Sequence, residues 1–127
     1  MASIRSVWPP GAGHRLDPLD AVVLAANCPV CHQSISLAAR AIEAAGIPTV
    51  VMGCAKDIVE HVGVPRLSFS DFPLGNACGK PHDKASQQAT LEQALRLLPA
   101  AIGPRTTLQN PIRWSASRRA PSGWPPA

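Results

Sequence analysis

The chain has 127 residues, which is the length of one domain, because a second hydrophobic core would need roughly 100 more. Apolar residues make up 46% of the sequence and charged residues 16%, values typical of a folded globular protein. The formal net charge is +4, but residues 20–103 carry six basic and seven acidic side chains, so the excess positive charge lies at the two ends. A nucleic-acid-binding domain would concentrate basic residues on its folded part. We therefore expect no nucleic-acid partner.

No run of 18 apolar residues occurs in the sequence, and its first residues lack the apolar stretch of a signal peptide. We therefore expect no membrane association and a cytoplasmic location. In a reducing compartment, two cysteines separated by two residues are typical of redox chemistry or metal binding rather than of a structural disulfide. The four cysteines are Cys28, Cys31, Cys54 and Cys78.

The first predicted strand is the short apolar run Asp20–Ala26, which follows a proline- and glycine-rich leader of residues 1–19. From Cys31 onward the apolar residues take helical spacing, and Gly46 predicts the end of a helix of about four turns. A second apolar run, Ile47–Met52, predicts a second strand. Both runs have the length and composition of strands buried on both faces.

The second half of the chain repeats this alternation. Lys56–Val62 predicts a short helix and Arg66–Phe69 a weaker third strand. A last helix follows, with Asp83 or Ser86 as its candidate N-cap. Its apolar stripe consists of Leu91, Ala94, Leu95, Leu98 and Ile102.

Alternating strands and helices over residues 20–103 predict an α/β domain: a small three-layer parallel sheet of about three strands, resembling half of a Rossmann or flavodoxin fold, with right-handed crossover helices. Three strands leave sheet edges unprotected. We therefore expect this unit to complete itself with another copy or a separate subunit. Residues 104–127 are rich in proline and arginine and predict an extended or disordered tail, with Trp114 as its candidate docking residue.

Ligands of open parallel sheets bind beyond the carboxyl ends of the strands. In this sequence three loops follow predicted strands: 27–31, 53–57 and 70–83. All four cysteines fall in these loops, so the carboxyl edge of the sheet is the expected site of any chemistry.

The first loop carries the most specific pattern, Cys28-Pro29-Val30-Cys31. A cysteine at a helix start meets unpaired N–H groups and the positive end of the helix dipole, which favour a thiolate. This predicts Cys28 as a nucleophile and Cys31, one turn further in, as the thiol that resolves a mixed disulfide. The alternative interpretation is that Cys28 and Cys31 are two inert buried thiols. His32 either favours the thiolate or is turned away from Cys28 by the helix.

Metal binding is the competing interpretation. Cys28, Cys31, Cys54 and Cys78 supply four thiolates at one sheet edge, enough for a zinc or iron–sulfur site in a non-catalytic interaction domain. However, 23 residues separate Cys54 from Cys78, whereas zinc ribbons group their second pair. In the redox interpretation, Cys54, Asn76 and His82 are expected to line a substrate site, although His82 also fits a solvated loop histidine.

Several motifs occur together at a characteristic spacing. They are Cys28-x-x-Cys31, Gly46-Ile47-Pro48 and Pro73-Leu74-Gly75-Asn76. Over about residues 20–103 the chain resembles the carboxyl-terminal part of the glycine/sarcosine/betaine reductase selenoprotein B family, which includes the small selenoprotein subunit of D-proline reductase. Cys28 stands where that family has selenocysteine, and Ser34 stands where it has a further cysteine.

The resemblance implies a reductase that acts on C–N bonds of amino-acid-like substrates. In this family the selenol attacks the α-carbon and displaces the amine, which implies the same role for Cys28. The family activates amino acids through a pyruvoyl group on another polypeptide. The resemblance therefore implies other reductase subunits as partners and no cofactor within this chain.

Overall fold

The computed structural model describes residues 19–100 and 105–114, so most of the predicted leader and the end of the predicted tail lie outside the described residues. Strands and helices alternate along the chain, as expected from the sequence. In order they are β1 (Val22–Ala25), α1 (Pro29–Ala44), β2 (Thr49–Gly53), α2 (Lys56–Val62), β3 (Arg66–Phe69), α3 (Lys84–Ala100) and β4 (Thr106–Gln109).

The strands form one parallel sheet in the order β1-β2-β3-β4, which confirms the predicted α/β fold. Apolar side chains of β2 alternate between two cores. Val51 packs with Ala39 of α1 and Val59 of α2 on one face. On the other face, Val50 and Met52 pack against α3. The sheet is therefore the middle of three layers, with α1 and α2 on one side and α3 on the other.

The third crossover differs from the sequence prediction. The strands advance in one direction across the sheet, but α3 lies on the opposite face from α1 and α2. The β3–α3–β4 connection therefore has the opposite hand to the first two. The sequence analysis expected every crossover to be right-handed, and this one departs from that expectation. The change of face lets α3 cover β2 and β3 on the side that α1 and α2 leave open.

In the described part of the chain the sheet has four strands, where the sequence predicted about three. Residues 106–109 lie in the segment predicted as a tail, yet they pair with all four residues of β3. Their sequence, Thr-Thr-Leu-Gln, lacks the apolar run that indicated the other strands. A domain boundary after Gly103 would separate this strand from its sheet. Beyond it, the Trp114 ring lies 5.4 Å from that of Phe72, so the predicted docking residue does contact the domain.

Helix α3 does not bury the whole leucine stripe that its sequence suggested. Its buried side chains are Ser86, Thr90, Ala94 and Leu97, whereas Leu91 and Leu95 are 45% and 47% exposed. Leu97 packs with Val50 and Met52 of β2, so the leucines of α3 divide between the core and the surface. Among residues 19–100 and 105–114, no helix is both long and apolar enough to cross a membrane.

Asn110 joins the end of β4 to the rest of the domain. Its side chain is buried, and its amide nitrogen donates to the hydroxyls of Ser70 at 3.2 Å and Thr90 at 3.0 Å. Its amide oxygen accepts the backbone N–H of Ile112 at 3.0 Å. One side chain thereby links β4, the end of β3 and α3.

We expect Asn110→Ala to lower the free energy of unfolding by about 1–3 kcal/mol, because it leaves buried polar groups without their partner. Denaturant unfolding at an unchanged m-value measures the loss. Gln109→Ala is the matched control, since Gln109 is the exposed neighbour and its loss should cost less than about 0.5 kcal/mol. Equal losses in the two variants would contradict the proposed role of Asn110.

Candidate functional site

The three loops at the carboxyl edge of the sheet are held together by hydrogen bonds. The backbone N–H of Gly75 donates to the Asn27 carbonyl at 3.0 Å, which joins the third loop to the first. The backbone N–H of Cys54 donates to the His32 ring at 2.9 Å, which joins the second loop to the first turn of α1. Cys28 lies in the first loop, between these two connections.

Cys28 is the N-cap of α1. Its backbone is extended, with φ −104° and ψ 172°, and Pro29 occupies the start of the helix. Proline is favoured there because its missing N–H would have no helical partner. The Cys28 sulfur accepts the backbone N–H of Cys31 at 3.4 Å. At the N-cap position, serine or aspartate usually provides the side-chain acceptor. In this protein the acceptor is the sulfur of a cysteine.

The sulfurs of Cys28 and Cys31 are 3.1 Å apart, and both cysteines are free. Cys28 is exposed and Cys31 is partly exposed. Backbone and side-chain hydrogen bonds from Cys28, the backbone one first, hold the pKa of Cys31 below its ordinary value. A disulfide bond is about 2.05 Å long, so a shift of roughly 1 Å would join the two sulfurs. The arrangement can store and release two electrons.

Cys54 has a different environment. It is half-buried, and this burial raises its pKa, against the opposing effect of backbone hydrogen bonds from Phe72 and Asn76. Near neutral pH its thiol is therefore protonated and less nucleophilic than the Cys31 thiol. Cys78 is exposed. The four cysteines at this edge thus divide into a close pair and two separate thiols.

The other two residues predicted to line the site have other surroundings. The Asn76 amide nitrogen donates to the carbonyls of Pro73 at 3.1 Å and Leu74 at 3.4 Å, so it holds its own turn. His82 is exposed, with a left-handed backbone at φ 57°, two residues before α3. Neither side chain is hydrogen-bonded to Cys28 or Cys31 in the structure.

A shallow groove of about 520 Å³ begins beside this edge and runs along β1. It lies on the face that α3 covers incompletely, and none of its lining residues in the described part of the chain is charged. Its surface is mostly apolar. The lining includes Val23, Asn27, Met52, Asn76, Cys78 and Leu91.

The sequence left open a metal site formed by all four cysteines. Within residues 19–100 and 105–114, no three His, Cys, Asp or Glu side chains are grouped so that they could hold a metal ion. The close contact between Cys28 and Cys31 is not extended by Cys54 or Cys78.

His32 is a residue of this region whose role the sequence left open. Its side chain is fully buried, and the hydrogen bonds of its ring do not include the Cys28 sulfur. Instead, its Nδ1 lies 2.8 Å from the Cys28 carbonyl oxygen. A histidine in the first turn of a helix, one residue after a cysteine, was the available signal, but a sequence does not show which way the ring turns.

Comparison with known proteins yields one informative relative. The chain is 35% identical over 80 residues to D-proline reductase subunit gamma of Acetoanaerobium sticklandii. The chain is related to a reductase subunit. The aligned region is 63% of this chain and 33% of the relative, so the chain spans about a third of that protein's length. No family model and no solved structure matches the sequence.

The contrast between the thiols predicts their order of alkylation. Near neutral pH, iodoacetamide should label the Cys28–Cys31 pair faster than Cys54, because the Cys31 pKa is lowered and the Cys54 pKa is raised. Peptide mapping of a labelling time course at several pH values measures this.

The protein unfolded in guanidinium is the control, in which all four cysteines should react at similar rates. A folded protein in which Cys54 is labelled as fast as Cys31 would contradict the assignment. So would a pH midpoint for the pair that is no lower than in the unfolded chain.

Proposed function

We propose that this chain is a thiol-based reductase domain in which Cys28 is the nucleophile and Cys31 the resolving thiol. The observation that carries the proposal is the pair of free sulfurs 3.1 Å apart at the start of α1. Their position at the carboxyl edge of a parallel sheet is where ligands of such folds bind. The relationship to a reductase subunit supports a reductase function.

The two thiols have distinct parts in the proposed reaction. Cys28 is the more exposed, so it meets the substrate first. Cys31 has the lowered pKa and lies within hydrogen-bonding distance of the Cys28 sulfur. The Cys31 thiolate therefore accepts the Cys28 proton as Cys28 attacks, which makes it the local base before it becomes the resolving thiol.

The proposed reaction has two steps, which together transfer two electrons from the dithiol to the substrate. The Cys28 sulfur attacks a carbon, an S–C bond forms, and the C–N bond breaks with its electron pair leaving on the amine. Cys31 passes the proton that it took from Cys28 to the departing amine and becomes a thiolate again. This thiolate then attacks the Cys28 sulfur, so that an S–S bond forms and the carbon leaves with the S–C electron pair and takes up a proton from solvent. The substrate is reduced by two electrons, the dithiol becomes a disulfide, and an external thiol reductant restores it.

The proposed substrates are amino-acid-like compounds, as the resemblance to the selenoprotein B family implies. Within residues 19–100 and 105–114, the groove beside the site has no charged lining residue that could hold an amino-acid carboxylate or ammonium group. This supports a reaction in which another subunit, with the implied pyruvoyl group, binds and activates the substrate.

On this chain, Cys54, Asn76 and His82 are the proposed substrate-lining residues. The need for recurrent thiol reduction fits a cytoplasmic location.

The surface beside the site supports a partner. Leu91 and Leu95 of α3 are exposed, and Val23 of the edge strand β1 is 36% exposed. Val23 and Leu91 both line the groove, so apolar surface runs from the sheet edge to α3. An apolar surface of this kind is typical of a protein interface. It supports our proposal that the chain works with other reductase subunits or with a second copy.

Reaction with dithiodipyridine tests the order of the two thiols. The unaltered pair should release two thiopyridones and end as a Cys28–Cys31 disulfide. Cys31→Ser should release one at this site and keep a stable adduct on Cys28, because the resolving thiol is gone. Cys28→Ser should react slowly at this site. Peptide mapping by mass spectrometry locates each product.

Cys78→Ser is the matched control, since Cys78 is a second exposed thiol at the same edge. Its Cys28–Cys31 pair should behave as in the unaltered protein. A stable adduct on Cys31 in the Cys28→Ser variant, formed as fast as the Cys28 adduct in Cys31→Ser, would contradict the assignment of the nucleophile.

A further inference from the structure

His32 joins the Cys28 loop to the turn before α2 through both nitrogens of its ring. Nδ1 lies 2.8 Å from the Cys28 carbonyl oxygen. Nε2 accepts the backbone N–H groups of Cys54 at 2.9 Å and Ala55 at 3.2 Å. The side chain is 0% exposed, so these bonds form without competition from water. The ring therefore connects the first two loops of the site directly.

These partners specify one form of the ring. A carbonyl oxygen only accepts hydrogen bonds and a backbone N–H only donates them. The proton is therefore on Nδ1, and Nε2 presents its lone pair to the two amides. An imidazolium would carry a proton on Nε2 and lose both of these bonds. The geometry therefore requires the neutral ring with its proton on Nδ1.

The ring also lies in a slot that fits it closely. A Cβ added at Gly53 would lie 3.0 Å from the His32 Cδ2 and 3.2 Å from Nε2. The end of β2 therefore has room for the ring because residue 53 has no side chain. The close approach of the ring to Gly53 restricts its movement against the sheet, which keeps its hydrogen bonds in a fixed direction.

The carbonyl that His32 holds belongs to the N-cap residue. The Cys28 oxygen accepts both the His32 ring nitrogen and the His32 backbone N–H, the latter at 3.1 Å. Two donors fix the orientation of the peptide unit that follows Cys28. The direction of the Cys28 side chain depends on this orientation, and with it the 3.1 Å separation from the Cys31 sulfur.

We propose that His32 is a positioning residue of the dithiol. By anchoring the Cys28 carbonyl to the Cys54–Ala55 turn, its ring holds the two sulfurs at the separation from which a disulfide forms. This inference rests on the proposed function, in which Cys28 and Cys31 cycle between dithiol and disulfide. The ring nitrogens of His32 are hydrogen-bonded to backbone atoms and not to a sulfur, so His32 acts through the backbone of Cys28.

The test is the equilibrium of the Cys28–Cys31 disulfide with glutathione, measured by alkylation and mass spectrometry on the full chain. His32→Phe fills the slot but offers no hydrogen bond, and it should lower the equilibrium constant by about tenfold, equivalent to roughly 30 mV. His32→Gln keeps one donor and one acceptor, so it should restore part of the loss. His61→Gln, a change of an exposed histidine on α2, is the control and should leave the constant unchanged.

A change of less than about twofold in a folded His32→Phe variant would overturn the proposal, because the ring would then be filling space alone. Nitrogen NMR of the unaltered protein gives a second test that needs no variant. It should show His32 protonated on Nδ1 and unprotonated on Nε2. A ring that is charged, or protonated on Nε2, would also overturn the proposal.

The proposed function and this inference fail in different ways. If the unaltered pair forms no disulfide with glutathione, the proposed function is contradicted. The positioning role is then decided by the rate of Cys28 alkylation, which His32→Phe should change by at least about threefold if the ring sets the direction of the thiol. An unchanged rate would overturn it.

Discussion

The first turn of α1 has backbone N–H groups that no helical carbonyl reaches, and the site depends on how they are used. Cys28 caps the helix with its sulfur, which accepts the N–H of Cys31. The same spacing brings the side chains of Cys28 and Cys31 together on one side of the turn. A two-residue separation between cysteines thus becomes a thiol pair because a helix begins between them.

The rest of the fold supports this turn. Strand β1 delivers the chain to it, and hydrogen bonds from Gly75 and to His32 connect it with the other two loops. Because all four strands are parallel, their carboxyl ends meet at this one edge. Helix α3 lies on the far face, where it covers β2 and β3 but leaves β1 beside an open groove. The reactive edge and the uncovered apolar surface are therefore neighbours.

Much of this arrangement was predictable from the residues. The apolar runs indicated β1 and β2 because strands buried on both faces need them, and the place of Pro29 indicated the helix start. Strand β4 could not be predicted in this way, since Thr106–Gln109 is an edge strand held by backbone pairing and by Asn110 beyond it. The buried face of α3 includes Ser86 and Thr90, two polar residues that the predicted apolar stripe did not contain.

Part of the candidate site was likewise predictable from the sequence, and part was not. The position of Cys28 and Cys31 followed from strand–helix order, whereas the role of His32 depends on ring orientation and on the space left by Gly53. The separation of Cys54 from the pair is likewise a property of packing, because burial and not sequence spacing raises its pKa. The start of the helix brings the Cys28 and Cys31 sulfurs together, and tertiary packing sets the surroundings of Cys54.

Mapping the disulfide formed on mild oxidation tests the central claim most directly. The reduced protein is treated with glutathione disulfide, digested and analysed by mass spectrometry before and after reduction with dithiothreitol, with its zinc content measured in parallel. We predict one intrachain disulfide, between Cys28 and Cys31, that dithiothreitol fully reverses, while Cys54 and Cys78 stay free of intrachain pairing. A disulfide that joins Cys54 or Cys78 to either member of the pair, or four cysteines protected by stoichiometric zinc, would contradict the account.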